Sequence, residues 1–260
     1  MNLWLVNPPW QNFSSMYRES VSAAEAVSEV EERHHKTAAL YFGIAALEAF
    51  LNQKMRTFLS PKMTEQEVLK ELRYAKFMDK ISKWPAKIIG CAPLLSVSLI
   101  DRIEEFNDVR AGLTHAKTRG HDVYSVLEAL KPSDVVESIA EFIVKYHEAE
   151  ATRFPYWVFG WNYLNPQIGG HEIILIHDQQ FVFSLRALGA AQIPGGYGWE
   201  EQWKDKTLKS YDGYVGLRDF LLSRSACEPK YANFPLQPKL CRRWWEPEHQ
   251  RSCGACPQSR

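Results

Sequence analysis

Residues 99–115 read LIDRIEEFNDVRAGLTH. Their apolar spacing decides the class of fold. Leu99, Ile103, Phe106 and Leu113 recur on one face of a helix of 3.6 residues per turn, and Arg110 stands on that face between the last two. A second stripe, Tyr41, Ile44, Glu48 and Leu51, has the same rhythm of three and four and also carries one charge. A desolvated guanidinium or carboxylate costs on the order of several kcal/mol unless it is paired and hydrogen-bonded. One contact answers both demands: a Glu48–Arg110 pair, with Asn52 one turn beyond Glu48 on the same face. Such a pair either serves a site or only fixes the register of two helices.

Outward from these stripes the chain reads as mainly α. Residues 14–58 hold no proline and one glycine, Gly43, and Glu19, Glu25, Glu29, Glu31 and Glu32 give way to the apolar run 38–51. The pattern predicts one long helix, or two joined near His34 and His35. Thr64 with Glu67 matches a capping box and opens a helix that Pro85 ends. That helix is basic, with Lys70, Arg73, Lys76, Lys80 and Lys83, which are either a phosphate-tracking patch or a solvated face. A third helix is expected over residues 96–117, and a fourth, capped by Ser133 and Asp134, to about residue 150.

Past Arg153 the residues become β-branched and aromatic in short runs, 156–159, 172–176 and 181–183. Gly169–Gly170 and Asp178-Gln179-Gln180 separate them as turns, which predicts a small antiparallel β-containing C-terminal segment. The expected organisation is an N-terminal extension (1–18), a helical domain (19–152), a β-rich accessory segment (153–222) and a cysteine-containing tail (223–260) poor in core residues.

The 260 residues carry 31 basic and 31 acidic side chains, a net charge of zero, and 45% are hydrophobic. That balance excludes disorder as the main state and excludes capture of a polyanion by bulk charge. No run is apolar enough to cross a bilayer, and residues 1–10 lack a signal-peptide pattern, so no membrane partner and a cytoplasmic setting are expected. Five cysteines are an odd number, as expected of thiols in a reducing compartment. Cys253 and Cys256 have zinc-knuckle spacing that Cys227 and Cys241 would complete, but only half of the usual paired motif is present; free thiols are the simpler reading and no metal is expected. Asn7-Pro8-Pro9-Trp10 looks like the catalytic motif of amino-methyltransferases, yet the Gly-rich cofactor loop of that chemistry is missing. His34 and His35 would point about 100° apart on a helix, which suits a solvated pair better than a metal site.

His115 lies five residues beyond Arg110, so on a regular helix the two point roughly 140° apart. Two copies of the helix meeting across a two-fold axis would line one cleft with both pairs, and Gly112 would permit the close approach. Arg110-Ala111-Gly112-Leu113-Thr114-His115 is similar to the R-x4–6-H signature of the HEPN superfamily, and residues 45–52, with Glu48 and Asn52, resemble its earlier helix. The resemblance covers roughly residues 20–150. It implies a HEPN-like helical bundle, a homodimer, and a metal-independent endoribonuclease of toxin–antitoxin or phage-defence systems, needing no cofactor.

The resemblance also implies roles. His115 would be general base toward a 2′-hydroxyl or acid toward the leaving 5′-oxygen, a task suited to imidazole. Arg110 would neutralise the phosphate in the transition state, with Glu48 holding it and Asn52 beside it. The products would be a 2′,3′-cyclic phosphate and a 5′-hydroxyl, and the partners RNA and an antitoxin or regulatory protein. Active members usually have a polar residue after the arginine; here it is Ala111, with Asn107 and Asp108 as the nearest substitutes. That departure keeps two alternatives open: a catalytically inactive HEPN-like module binding a partner protein or RNA, and a helical interaction protein.

Overall fold

Asn7 begins the first helix. Its side-chain oxygen accepts the Trp10 N–H at 3.3 Å, and Pro8 and Pro9 occupy the first turn, where a missing amide donor is least costly. The Asn7-Pro8-Pro9-Trp10 run is thereby a helix start. The helix it opens, α1 (Pro8–Glu25), buries Trp10, Phe13, Met16 and Tyr17. Residues 8–18, expected to be an extension, are instead part of the helical core.

The computed structural model describes residues 7–90, 95–115, 122–159, 163–164, 173–174 and 208–222, and divides into two units, Met1–Ala151 and Thr152–Arg260. The described residues are mainly helical. In the first unit α1 is followed by α2 (Glu29–Leu59), α3 (Glu65–Tyr74), α4 (Phe77–Ser82), α5 (Trp84–Ile89), α6 (Val97–Thr114), α7 (Asp122–Ala129) and α8 (Pro132–Ala149).

The break between α1 and α2 falls at residues 26–28, not at His34–His35. Ser28 accepts the Glu31 N–H at 3.2 Å, while the Glu31 carboxylate accepts the Val27 N–H at 3.0 Å. This cap starts a new helix at Glu29, five residues before His34, so both histidines lie inside it. The Thr64–Glu67 capping box forms as expected. The helix it opens is shorter than expected, because Ala75 and Lys76 are extended and restart the chain as α4. Pro85 does not end that helix; it sits in the first turn of α5, the helical position proline tolerates best. Likewise Pro132 opens α8, so Ser133 and Asp134 lie inside its first turn and Lys131 is the cap residue. The short α7 has no counterpart in the expected elements.

The long α2 is the axis of the unit and packs against α1, α8, α6, α7 and the α3–α5 run. Leu40, Ile44, Leu47, Leu51 and Met55 of α2 are fully buried, as are Leu99 and Ile103 of α6 and Ile139, Phe142 and Ile143 of α8. Gly43 explains how closely three helices meet. A Cβ at this position would stand 2.7 Å from Val135 Cγ1 on α8 and 3.0 Å from Met16 Sδ on α1. No described helix is long and apolar enough to cross a membrane.

In the second unit, residues 156–159 were expected as a strand and form a 3-10 turn (Tyr156–Phe159). Pro155 supplies the turn: its carbonyl accepts the Val158 N–H at 3.1 Å. Phe154, Trp157, Val158 and Phe159 are buried, and Tyr214 of α9 (Tyr211–Leu222) stacks on Phe159 at 5.1 Å. Two-residue strands β1 (Tyr163–Leu164) and β2 (Ile173–Ile174) pair antiparallel, Tyr163 opposite Ile174. The expected turns at 169–170 and 178–180, the run 181–183 and all five cysteines lie outside the described residues.

Gly43→Ala should lower stability by about 1–3 kcal/mol, because the β-branched Val135 cannot swing clear of the added methyl. A lower urea midpoint at unchanged slope checks this; an unchanged midpoint would mean the helices part without cost.

Candidate functional site

The site is built around the end of α6. Ser96 caps its start by accepting the Leu99 N–H at 3.2 Å. The core face that follows is Leu99, Ile103, Phe106 and Val109, so Val109 takes the position expected for Arg110. One residue on, about 100° further round the helix, Arg110 lies half-buried at the edge of that face, as does Leu113. The helix stops at Thr114. His115 leaves it with φ −124° and ψ 63°, its N–H still bonded to the Ala111 carbonyl at 2.9 Å and its side chain exposed. The angle of 140° drawn from a regular helix therefore does not apply to His115.

Glu48 and Arg110 do not form the expected ion pair. Glu48 is taken by Lys80 of α4, whose ammonium lies 2.5 Å from Glu48 Oε1 and 5.4 Å from the centre of the Trp84 ring. Lys80 is 3% exposed and Glu48 35%, so the lysine is the deeper partner. Lys80 was expected in a phosphate-tracking patch or on a solvated face because the stretch up to Pro85 reads as one helix; the break at residues 75–76 divides it into α3 and α4 and turns Lys80 inward.

Arg110 is held instead by its own helix. Its terminal nitrogen donates to Asn107 Oδ1 at 2.9 Å, while its Nε is buried and has no hydrogen-bond partner. Asn52, on the same side of α2 as Glu48, has a buried Oδ1 that is likewise unsatisfied. Each such buried group costs about 1–3 kcal/mol. Asn52 lies on α2 and Arg110 on α6, two helices that pack against each other.

Tyr41, expected only as a core residue, ties the end of α6 to α2. Its hydroxyl lies 2.5 Å from Thr114 Oγ1, and Thr114 in turn donates to the Arg110 carbonyl at 2.8 Å. The Tyr41 hydroxyl also reaches that carbonyl at 3.5 Å. The last turn before His115 is thus pinned from outside the helix. Gly112 faces α7: a Cβ there would meet Val123 Cγ2 at 3.0 Å, which gives the glycine an intrachain reason.

A second polar cluster escaped sequence reading. Where α2 meets α8, Lys54 donates to Glu150 Oε2 at 2.6 Å, under the Tyr146 and Phe50 rings, and His147 Nδ1 lies 3.8 Å from the same oxygen. Burial first, then the charge of Lys54, pushes the His147 imidazole down to about 3, against the upward pull of Glu150. Burial and Glu150 raise the Tyr146 phenol above its ordinary range. Nothing in the spacing of these residues distinguishes them from an exposed helix end; their burial comes from the neighbouring helices.

Two outcomes follow from these contacts. Tyr41→Phe should cost about 1 kcal/mol and speed amide exchange at Thr114 and His115 ahead of the rest of α6, a pattern absent if the hydroxyl holds nothing. His147 is neutral in the fold, and the unfolded chain binds its proton more readily. Between pH about 6.5 and about 3 it therefore removes stability as pH falls, by up to about 1.4 kcal/mol per pH unit. His147→Asn should flatten the wild-type pH profile in that window, and parallel profiles would refute the burial of this ring. Comparison with known proteins finds no family model, no curated protein and no solved structure that matches this chain.

Proposed function

We propose that the first unit is a HEPN-type helical bundle acting as a dimeric, metal-independent endoribonuclease in a defence or toxin system. The observation that carries this reading is the end of α6. There Arg110 is braced by Asn107 with an unsatisfied buried Nε, and an exposed His115 sits just past a helix end pinned by Tyr41. A guanidinium with spare donors suits the non-bridging oxygens of a phosphate. The exposed imidazole of His115, five residues on, suits removal of a proton from the 2′-hydroxyl, or its return to the 5′-oxygen, as the 2′-oxygen attacks phosphorus and the 5′-oxygen leaves. In this reading Asn107, rather than Glu48, positions Arg110, and the Glu48–Lys80 pair braces α2 against α4. Asn52, which the resemblance assigns to the site, would offer its unsatisfied amide oxygen.

The β-containing part of the second unit would be an accessory to substrate choice, an antitoxin or regulatory protein the controlling partner, and the cytoplasm the setting. The alternative is a catalytically silent HEPN-like module binding a partner protein or RNA. Ala111 favours it, since it puts a methyl group where active members carry a polar side chain.

The deciding experiment incubates wild type, Arg110→Ala and His115→Ala with varied RNAs in EDTA and analyses the termini. The ribonuclease reading expects 2′,3′-cyclic phosphate ends from wild type and a loss of at least about 100-fold in each variant. Cleavage that survives both substitutions removes these residues from the chemistry. A folded wild-type chain that cuts none of the RNAs favours the binding module.

A further inference from the structure

Ion pairing sorts the basic residues of the α3–α5 region into two sets. Lys80 is buried against Glu48, Lys83 is paired with Asp79 at 2.6 Å, and Lys87 with Glu71 at 3.0 Å. The acidic residues of α3 are engaged as well: Glu65 holds Arg56 in a two-pronged contact at 2.7 and 2.8 Å, and Glu67 closes the capping box with Thr64. What remains is Lys70, Arg73 and Lys76, all exposed and without an ion pair among the described residues; Asp79 feels the charge of Lys76 but is paired with Lys83.

In the midst of this second set stands Tyr74, 73% exposed. Lys70, Arg73 and Tyr74 are spaced i, i+3 and i+4, so they share one face of α3, and Lys76 follows on the extended link to α4. A tyrosine left so far in water at a helix end contributes nothing to the core. An aromatic ring among three unpaired cations has the two elements that hold a single nucleic-acid strand: a sequence-tolerant stacking face and charges that track the phosphates.

We infer that Lys70, Arg73, Tyr74 and Lys76 form a docking surface for single-stranded RNA, Tyr74 stacking on a base while the three cations follow the backbone. The choice of RNA rests on the function proposed above. The local charge is what makes the surface compatible with a chain of zero net charge, because the attraction acts over about a Debye length, 8–10 Å, rather than through the whole field.

The test measures anisotropy of the full chain with a labelled 2′-O-methyl RNA of about 12 nucleotides, a strand that cannot undergo 2′-hydroxyl attack. Tyr74→Ala should weaken binding about 5- to 100-fold, with Tyr74→Phe restoring it. Replacing Lys70, Arg73 and Lys76 together by Gln should flatten the dependence of log K on log salt by about 2, the value for three phosphate contacts on a single strand. Wild type that fails to bind, unchanged affinity in Tyr74→Ala, or equal loss by Tyr74→Ala toward inorganic polyphosphate, which has no base to stack, would overturn the surface. Binding without cleavage of ordinary RNA would sink the ribonuclease reading and leave the surface standing. Cleavage and binding both untouched in Tyr74→Ala would do the reverse.

Discussion

Gly43 sits midway along the 31-residue α2 and has no side chain to hold its neighbours away. Val135 of α8 and Met16 of α1 fill the place a Cβ would take, so three helices approach one another at a single point. Everything later in the first unit is measured from there. Two residues before the glycine, Tyr41 reaches the end of α6; five residues after it, Glu48 meets Lys80; a further turn and a half on, Lys54 meets Glu150. Because interiors pack at near-crystalline density, widening the contact at Gly43 would shift α1 or α8 bodily rather than compress a side chain. The polar contacts along α2 then inherit their geometry from an apolar one.

The charged residues in the apolar stripes show how that scaffold treats polar groups. Burial is costly for both Glu48 and Arg110, and the two meet the cost separately. Glu48 draws in a lysine from a different element and stays one-third exposed; Arg110 leans on Asn107 three residues earlier in its own helix. Had Glu48 bridged to Arg110, a carboxylate would occupy donors of the guanidinium that a phosphate would otherwise use. A neutral amide partner leaves the cationic charge of Arg110 uncompensated at close range. The separation of the two expected partners therefore leaves the Arg110 guanidinium bonded to an amide rather than a carboxylate, which is what the proposed phosphate-binding role would require.

Sequence periodicity made the helical class and the core faces of α2 and α6 legible, since Ile44, Leu51, Leu99, Ile103 and Phe106 are buried as their spacing requires. The Thr64–Glu67 cap was legible for a similar reason: it is a local bond between residues three apart. What was lost concerns residues whose role depends on a boundary. Pro85 reads as a stop but occupies a first turn, where φ near −65° is already helical. Placing Pro85 at a stop fused α3 with α4 and put Lys80 on the wrong face. Val109 and Arg110 are neighbours on the edge of one stripe, and no spacing rule decides which of them turns inward. Around the candidate site, Tyr41, Asn107 and Lys80 take their roles from contacts across space or from side-chain direction. His147 belongs with these, because its burial is set by α2 and α8 together and not by its own neighbours in sequence.

The zero net charge of the chain limits how any anionic ligand is gathered. Far from the surface the 31 positive and 31 negative charges cancel, so no long-range field steers a polyanion toward the protein. Within a Debye length the cancellation is uneven. Pairing removes Lys80, Lys83, Lys87 and Arg56 from the available cations and leaves Lys70, Arg73 and Lys76 together. Arg110, with a neutral amide as its side-chain partner, is a second point of uncompensated charge. A chain organised in this way has to rely on contact rather than attraction at a distance, and contact makes stacking and hydrogen-bond geometry carry the selectivity that bulk charge would otherwise blur.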